Sequence, residues 1–318
     1  MAHRKSGQLS LADGLVAGSG SNQRLERILE LLEWSAFESH LSVIYAAKRG
    51  RRSYPPLVLF KALLLQQWYT LSDPGLEEAL GDRLSFKRFC GLALDESVPD
   101  HSTISRFRKQ LAQHKLSDVL FEELAAQLDT QGLIVRTGTL IDASLIAAQA
   151  HPPAFGSEPG VGTDKDANWT RRGSKNHFGY KVHIGVDQGS GLIRKRLLTP
   201  AAINDTTPAD DLISGDEGAV YADKAYDAHA RRKALKAAGI KTRIMHRANK
   251  HHPELAPWPA QHNRLISPIR SAVEGLFGTM KRSYGYRQVK YFSLVANAVQ
   301  FDLLCIALNL RRAEVLTR

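Results

Sequence analysis

Cysteine is nearly missing from this chain. Its 318 residues include two, Cys90 and Cys305. Each sits in an apolar stretch with helical spacing, so reduced core thiols of a cytoplasmic protein are expected rather than a disulfide framework or a zinc site. A long apolar run is missing too. The most apolar late stretch, AVQFDLLCIALNL, has 13 residues and contains Gln300, Asp302 and Asn309. It is too short and too polar to cross a bilayer, and no secretory leader is legible. The third absence is local. RRKALKAAGIKTRIMHRANKHH, residues 231–252, holds eight Lys/Arg, three His and no acid.

The charge is unevenly placed. Residues 1–130 carry 16 Lys/Arg and 16 Asp/Glu, a net of zero, while residues 131–318 carry 27 and 16, the whole excess of +11. Such concentration fits a polyanion, most simply nucleic acid. The basic run lacks the aromatic and leucine face of an interfacial helix, which disfavours a membrane surface.

Texture divides the chain at about residue 132. Residues 1–20 are rich in Gly and Ser and read as a flexible N-terminus. Residues 21–132 read as all helix. PPLVLFKALLLQQWYTL is apolar nearly all round and should be buried. In VPDHSTISRFRKQLAQH, Asp100 or Ser102 can cap a helix that presents Arg106, Arg108 and Lys109, after a turn containing Gly91. That order is compatible with a helix-turn-helix. From residue 133 to 318 the pattern becomes β-β-β-α-β-α-β-α-α. GLIVRTGTLIDAS is a strand ending on Asp142, residues 151–177 are a long loop, HFGYKVHIGVD and LIRKRLLTP are strands, and DTTPADDLI is a short helix. GAVYAD is a strand ending on Asp223, AHARRKALKAAG is a helix, IKTRIM is a strand, and two helices close the chain.

The first of these closing helices, SPIRSAVEGLFGTMKRSYGYR, carries a single acid, Glu274, among basic residues. Ser267 and Pro268 are a start signal and Gly285 a stop. At 100° per residue from Ile269, an apolar stripe of Ile269, Ala272, Val273, Leu276, Phe277, Met280 and Tyr284 spans about 300° to 80°. Arg270, Lys281 and Glu274 lie along one edge of it. Gly278 lies opposite, where a bulky partner could approach. Two readings of Glu274 stand side by side: a surface ion pair with Arg270 at i,i+4, or a functional carboxylate.

Asp142 and Asp223 at strand ends, and Glu274 on a helix packed across them, form a set of hard oxygen donors that could converge on one point. Such donors suit Mg²⁺ or Mn²⁺. Two such ions ~3.5–4 Å apart activate a water or a 3′-hydroxyl and stabilise the leaving oxygen of a phosphodiester. Without metal, carboxylate repulsion leaves such a site looser.

IDAS at 141–144, ADKAYD at 222–227, and Arg270, Glu274 and Lys281 as R-x₃-E-x₆-K resemble the three signature regions of DDE transposases. The likeness is to bacterial insertion-sequence transposases of the insertion-sequence-five group. VPDHSTISRFR (98–108) and NWTRRGSKNHFGYKVHIGVD (168–187) share it, so the resemblance covers residues 25–310. It implies an α/β fold, an RNase H-like mixed-sheet catalytic domain (133–318) preceded by an all-α DNA-binding and dimerisation domain (21–132). It also implies two Mg²⁺ or Mn²⁺ ions held by Asp142, Asp223 and Glu274, and a homodimer on double-stranded transposon ends. Relatives often carry a tyrosine three residues before the arginine. Here that residue is Ser267, so the tyrosine's phosphate contact is not carried over. The 51-residue spacing from Asp223 to Glu274 leaves no room for the β insertion of the insertion-sequence-four group.

Arg270, Lys281, Lys224 and Lys175 are then phosphate holders, and Lys181 with Trp169 suits backbone clamping and base stacking. Trp169 packing its own loop is the competing reading. Lys241, Arg243 and Arg247 belong to the sequence-tolerant basic surface. Asp187 and Asp227 read as caps rather than ligands. His177, His183, His246, His251 and His252 lack zinc-like spacing. The expected activity is DNA cleavage and strand transfer. The alternatives are an RNase H-like nuclease that cleaves without joining, or a catalytically idle DNA-binding protein.

Overall fold

The computed structural model describes residues 22–44, 53–149, 152–154, 162–248 and 254–318. Residues 1–20, and Lys250, His251 and His252 of the basic run, lie outside the described residues. The chain forms two compact units. One is built from residues up to Gln131 together with Asp302–Arg318, the other from Gly132–Phe301.

The first unit is helical, as its patterning requires. It contains α1 (Gln23–Leu31), α2 (Trp34–Leu41), α3 (Pro56–Trp68), α4 (Asp73–Asp82), α5 (Leu84–Cys90), α6 (His101–Gln113) and α7 (Leu116–Thr130). Apolar on every side, α3 is its central helix, and twelve of its thirteen residues are buried. Trp34, Phe37, Phe60, Trp68 and Phe89 pack in successive edge-on and stacked pairs around it, geometries that add to simple area burial. Asp100 caps α6 by accepting from the Thr103 amide at 2.7 Å. Ser102 and that amide hold its carboxyl down at about 2. Between α5 and α6 run ten residues, Gly91–Asp100. A helix-turn-helix joins its helices through three or four, so these two do not form one.

Arg108 was expected on the DNA-facing side of α6, but it points inward. Its guanidinium bonds both carboxylate oxygens of Asp73, at 2.6 and 3.1 Å, and Gln66 at 3.1 Å, with the side chain 7% exposed. The periodicity explains this: Ile104, Phe107, Arg108 and Leu111 share the buried face of the helix. Arg106 and Lys109 are exposed, with Arg106 folded back onto Ser102 and Thr103.

The second unit is a six-stranded mixed sheet: β1 (Thr139–Ala147), β2 (Asn168–Arg172), β3 (Lys175–Asp187), β4 (Ile193–Pro200), β5 (Ala219–Ala222) and β6 (Lys241–Ile244). Helix α8 (His229–Ala237) connects β5 to β6, α9 is Pro257–Ser283, and α10 is Leu294–Leu316. β1 is central. On one side it pairs antiparallel with the long β3, which carries β2 along one half and β4 along the other. On its other side β1 pairs parallel with β5, and β5 with β6. A central first strand, an antiparallel meander on one side and parallel strands on the other is the RNase H-like arrangement that was expected. Gly179 fits only as glycine, because a Cβ there would stand 2.2 Å from the Ile146 carbonyl of β1.

Four expectations are corrected. β1 does not end at Asp142: past the end of β5 it continues on β3, with Ala143–Ala147 opposite His183–Gly179. The loop expected over 151–177 contains β2, turned onto β3 through Gly173 and Ser174. DTTPADDLI forms turns and one 3-10 turn, Asp210–Leu212. Helix α9 starts at Pro257, not at Ser267, and holds Pro268 on its exposed side. Pro257 and Pro259 lie in the first turn, where missing N–H groups cost nothing.

Helix α10 has 23 residues and is long and apolar enough to cross a membrane, yet two-thirds of its most apolar stretch is buried in the protein. Its C-terminal part belongs to the helical unit. There Ser117 donates to Asp302 at 2.7 Å, the Trp68 indole to the Ala307 carbonyl at 2.8 Å, and Arg27 to Glu314 at 2.6 Å.

Two stability predictions follow from buried charges in the helical unit. Arg108→Ala removes the counter-charge of Asp73 and one bond of Gln66, and should cost about 2–4 kcal/mol in denaturant unfolding, against less than about 0.5 kcal/mol for exposed Arg106→Ala. Lys61, 9% exposed and 4.4 Å above the Trp34 ring, is lowered by burial to about 8, while burial pushes Cys90 up to about 12. From about pH 8 upward the unfolded chain keeps a Lys61 proton that the folded protein has lost, so stability rises with pH. Above about pH 9 the folded protein keeps a Cys90 proton that the unfolded chain has lost, and this opposes the rise. Lys61→Met should therefore stabilise at pH 7 by on the order of 1–2 kcal/mol and flatten the pH dependence between about 8 and 9.

Candidate active site

Parallel pairing fixes the first two carboxylates. Leu140 of β1 stands opposite Tyr221 of β5. Asp142 lies two positions further along β1 and Asp223 two positions past Tyr221, just beyond the end of β5, so they reach the same level of the sheet. Beyond β5 the chain turns into a 3-10 turn, Lys224–Tyr226, with Asp223 as its cap accepting from the Lys224 amide at 2.6 Å. Asp142 accepts from the Ala143 amide at 2.8 Å.

Helix α9 is fastened along β1. Arg270 bonds Asp142 Oδ2 at 3.1 Å, Lys281 Nζ donates to Ser144 Oγ at 2.7 Å, and past the helix end Ala147 exchanges backbone bonds with Arg287 and Val289. Its buried residues are Ile266, Arg270, Val273, Phe277 and Met280. Measured from Ile269 at 100° per residue, this face is centred near about 60°, which turns Arg270 inward and leaves Glu274 exposed at the edge. The i,i+4 pair between Glu274 and Arg270 is therefore not made. Arg270 is committed to Asp142 and lies 3.8 Å from Met245 Sδ. Gly278 does leave room for a close neighbour, but the neighbour is the helix's own Arg282, whose guanidinium would stand 3.0 Å from a Cβ.

Asp142 and Asp223 line one cavity of about 240 Å³. Ser144, Thr170, Arg171, Arg172, Lys181, Asp205 and Tyr226 stand in the same wall. Glu274 is not in that wall, but its charge acts on Asp142. Burial raises the Asp142 carboxyl above the usual carboxylate range, Arg270 pulls it back, and Glu274 and Asp223 push it further up. Hard carboxylate donors that feel one another around one cavity fit a divalent cation in chemistry. The set is not closed around one point: among the described residues no three of His, Cys, Asp or Glu stand together as a metal-holding group. A guanidinium serves as the counter-charge of Asp142.

The other expected residues divide. Lys175 is exposed at the β2–β3 turn, and Lys224, Lys241, Arg243 and Arg247 are exposed. Lys181 is tied to Asp205 at 2.8 Å and to the Ile203 carbonyl. Trp169 is half-buried with its ring 5.4 Å from Phe178, the loop-packing reading rather than an open stacking face. Asp187 is a fully buried cap that accepts from the Arg136 and Ser190 amides, and Asp227 pairs with Arg232. His183 is buried against Thr199 and lowered by burial to about 4. Six polar cavity residues, Ser144, Thr170, Arg171, Arg172, Asp205 and Tyr226, were missed as site residues. The two-residue Gly173-Ser174 turn in RRGSK was the signal that would have placed both arginines on a hairpin.

Two family models match the chain: a transposase domain, DUF772, over residues 17–110, and a transposase DDE domain over residues 134–310. Among solved structures, a synaptic complex of piggyBac transposase with hairpin DNA shares 9% identity over 91% of this chain and 72% of that one, at a TM-score of 0.46. The Mos1 strand transfer complex shares 12% identity over 87% and 84%, at 0.20. At these scores neither likeness supports any part of the reading. The DDE domain model spans more than half of the sequence and takes in both aspartate-bearing strands and the helix of Glu274, so the chain belongs to the DDE transposase family.

Proposed function

We propose that this transposase binds the terminal inverted repeats of its own element, cleaves the DNA by metal-dependent hydrolysis and joins the freed 3′-hydroxyls to target DNA. The observation that carries the reading is the common level of Asp142 and Asp223 on paired strands, facing a cavity with Arg171 and Arg172 in its wall. In the hydrolytic step a water oxygen attacks phosphorus, the bond to the 3′-oxygen breaks, and a 3′-hydroxyl and a 5′-phosphate result. In the joining step that 3′-oxygen attacks a target phosphodiester and displaces its 3′-oxygen. Asp142, Asp223 and Glu274 would hold Mg²⁺ or Mn²⁺, which when bound supplies a Lewis acid for these oxygens. Arg270, paired with Asp142, would stand beside that cation, and with Lys281, Lys224 and Lys175 would hold phosphate.

The motifs of 98–108 and 168–187 support a place in the insertion-sequence-five group. The unit built from residues 22–131 and 302–318 is assigned the reading of ends and the pairing of two copies, the sheet unit the chemistry, in a cytoplasmic protein working on the nucleoid. An intact carboxylate set inside a basic surface disfavours an idle DNA binder. Strand-transfer products separate the transposase from a nuclease that only cleaves.

Glu274→Gln keeps shape and removes one charge. With end DNA and Mn²⁺ it should cut slower by on the order of 10²–10³-fold, while binding DNA at least as tightly. Cutting at near wild-type rate would remove Glu274 from the site. In salt titrations, alanine at Lys241, Arg243 and Arg247 should weaken end and random DNA alike and reduce the salt slope by about 0.9 per lost phosphate contact. Alanine at Arg106 and Lys109 should instead reduce the preference for end DNA.

A further inference from the structure

Tyr226 has an unusual position in this site. Its ring is 1% exposed and packs in the core of the sheet unit with Ile141, Leu212, Val220, Leu235 and Ile244. Its backbone is fixed at both ends, the amide donating to the Asp223 carbonyl at 2.9 Å and the carbonyl accepting from Arg231 at 2.6 Å. The phenol has little freedom to move. Its hydroxyl is nonetheless buried with no hydrogen-bond partner among the described residues. Tyr226 is also part of the wall of the cavity that Asp142, Asp205 and Asp223 line.

An orphaned buried hydroxyl is a standing cost, and phenylalanine would fill the same core space without it. At neutral pH a phenol carries its proton and can donate, and the carboxylates of Asp142, Asp205 and Asp223 share its cavity. It bonds none of these carboxylates as they stand.

We infer that Tyr226 is a positioning residue whose hydroxyl donates to a water of the divalent cation held by Asp142 and Asp223. Mg²⁺ and Mn²⁺ retain part of their hydration shell when carboxylates bind them, and partners one shell out orient the ligands and tune affinity. Tyr226 supplies that outer contact from the core side, while substrate arrives from the open side lined by Arg171 and Arg172. The inference rests on the metal-binding reading of Asp142 and Asp223 proposed above.

The test is Mn²⁺ binding to the full chain without DNA, followed by electron paramagnetic resonance, for wild type, Tyr226→Phe and Asp142→Asn. Thermal unfolding of each is measured without metal. Tyr226→Phe should melt at or above the wild-type temperature, since only an unpaired hydroxyl is lost, yet bind Mn²⁺ about 10-fold more weakly. Unchanged Mn²⁺ affinity overturns the inference while leaving the site intact. A lowered melting temperature with unchanged affinity also overturns it, by showing a purely structural hydroxyl. Wild-type binding that Asp142→Asn does not weaken overturns the metal-site reading itself, and the role of Tyr226 with it.

Discussion

The geometry of the candidate site depends on a very short contact, the parallel pairing of β1 with β5. Two residue pairs make it, Thr139 with Val220 and Leu140 with Tyr221. Because side chains alternate along a strand, a slip of one residue would turn an aspartate to the other face of the sheet. Register is therefore specified more strongly than two pairs suggest. The flanking pairings supply the rest: nine residues of β1 on β3 and all four residues of β5 on β6. The site lies where the antiparallel half of the sheet meets the parallel half, and there β1 runs past the end of β5, paired on β3 only.

The second organising contact is the ion pair of Arg270 with Asp142. Taking an arginine into the buried face of α9 is costly unless its charge is matched, and Asp142 matches it. The helix is thereby oriented about its own axis. Arg270 faces in, Lys281 reaches Ser144, and Glu274 stays at the exposed edge. One contact thus helps set which residues of the helix face the sheet and gives Asp142 its counter-charge.

Much of this was legible in the sequence because the signals were local. Strand-like runs marked β1, β3, β4 and β5, and an apolar run marked α3. The failures have physical causes. β2 was hidden because NWTRR is a polar edge strand, exposed along much of its length, so alternation carried little signal. The inward turn of Arg108 could not be read from α6 alone, since its acceptors Asp73 and Gln66 lie on other helices. The same holds for Arg270, where two partners competed: Glu274, four residues away, and Asp142, 128 residues away. Helical spacing argues for the near one, and tertiary packing selected the far one. Tyr226 carried no signal of its own, and only its position beside the acids separates it from an ordinary core aromatic.

The division of α10 between the two units bears on the connectivity of the chain. Trp68, Ser117 and Arg27 of the helical unit find partners in residues 302–314, so this unit takes its segments from both sides of the sheet unit in sequence. Its contacts close a loop longer than the whole sheet unit, and loops of that span close slowly. A chain cut between Phe301 and Asp302 would therefore carry an incomplete helical unit.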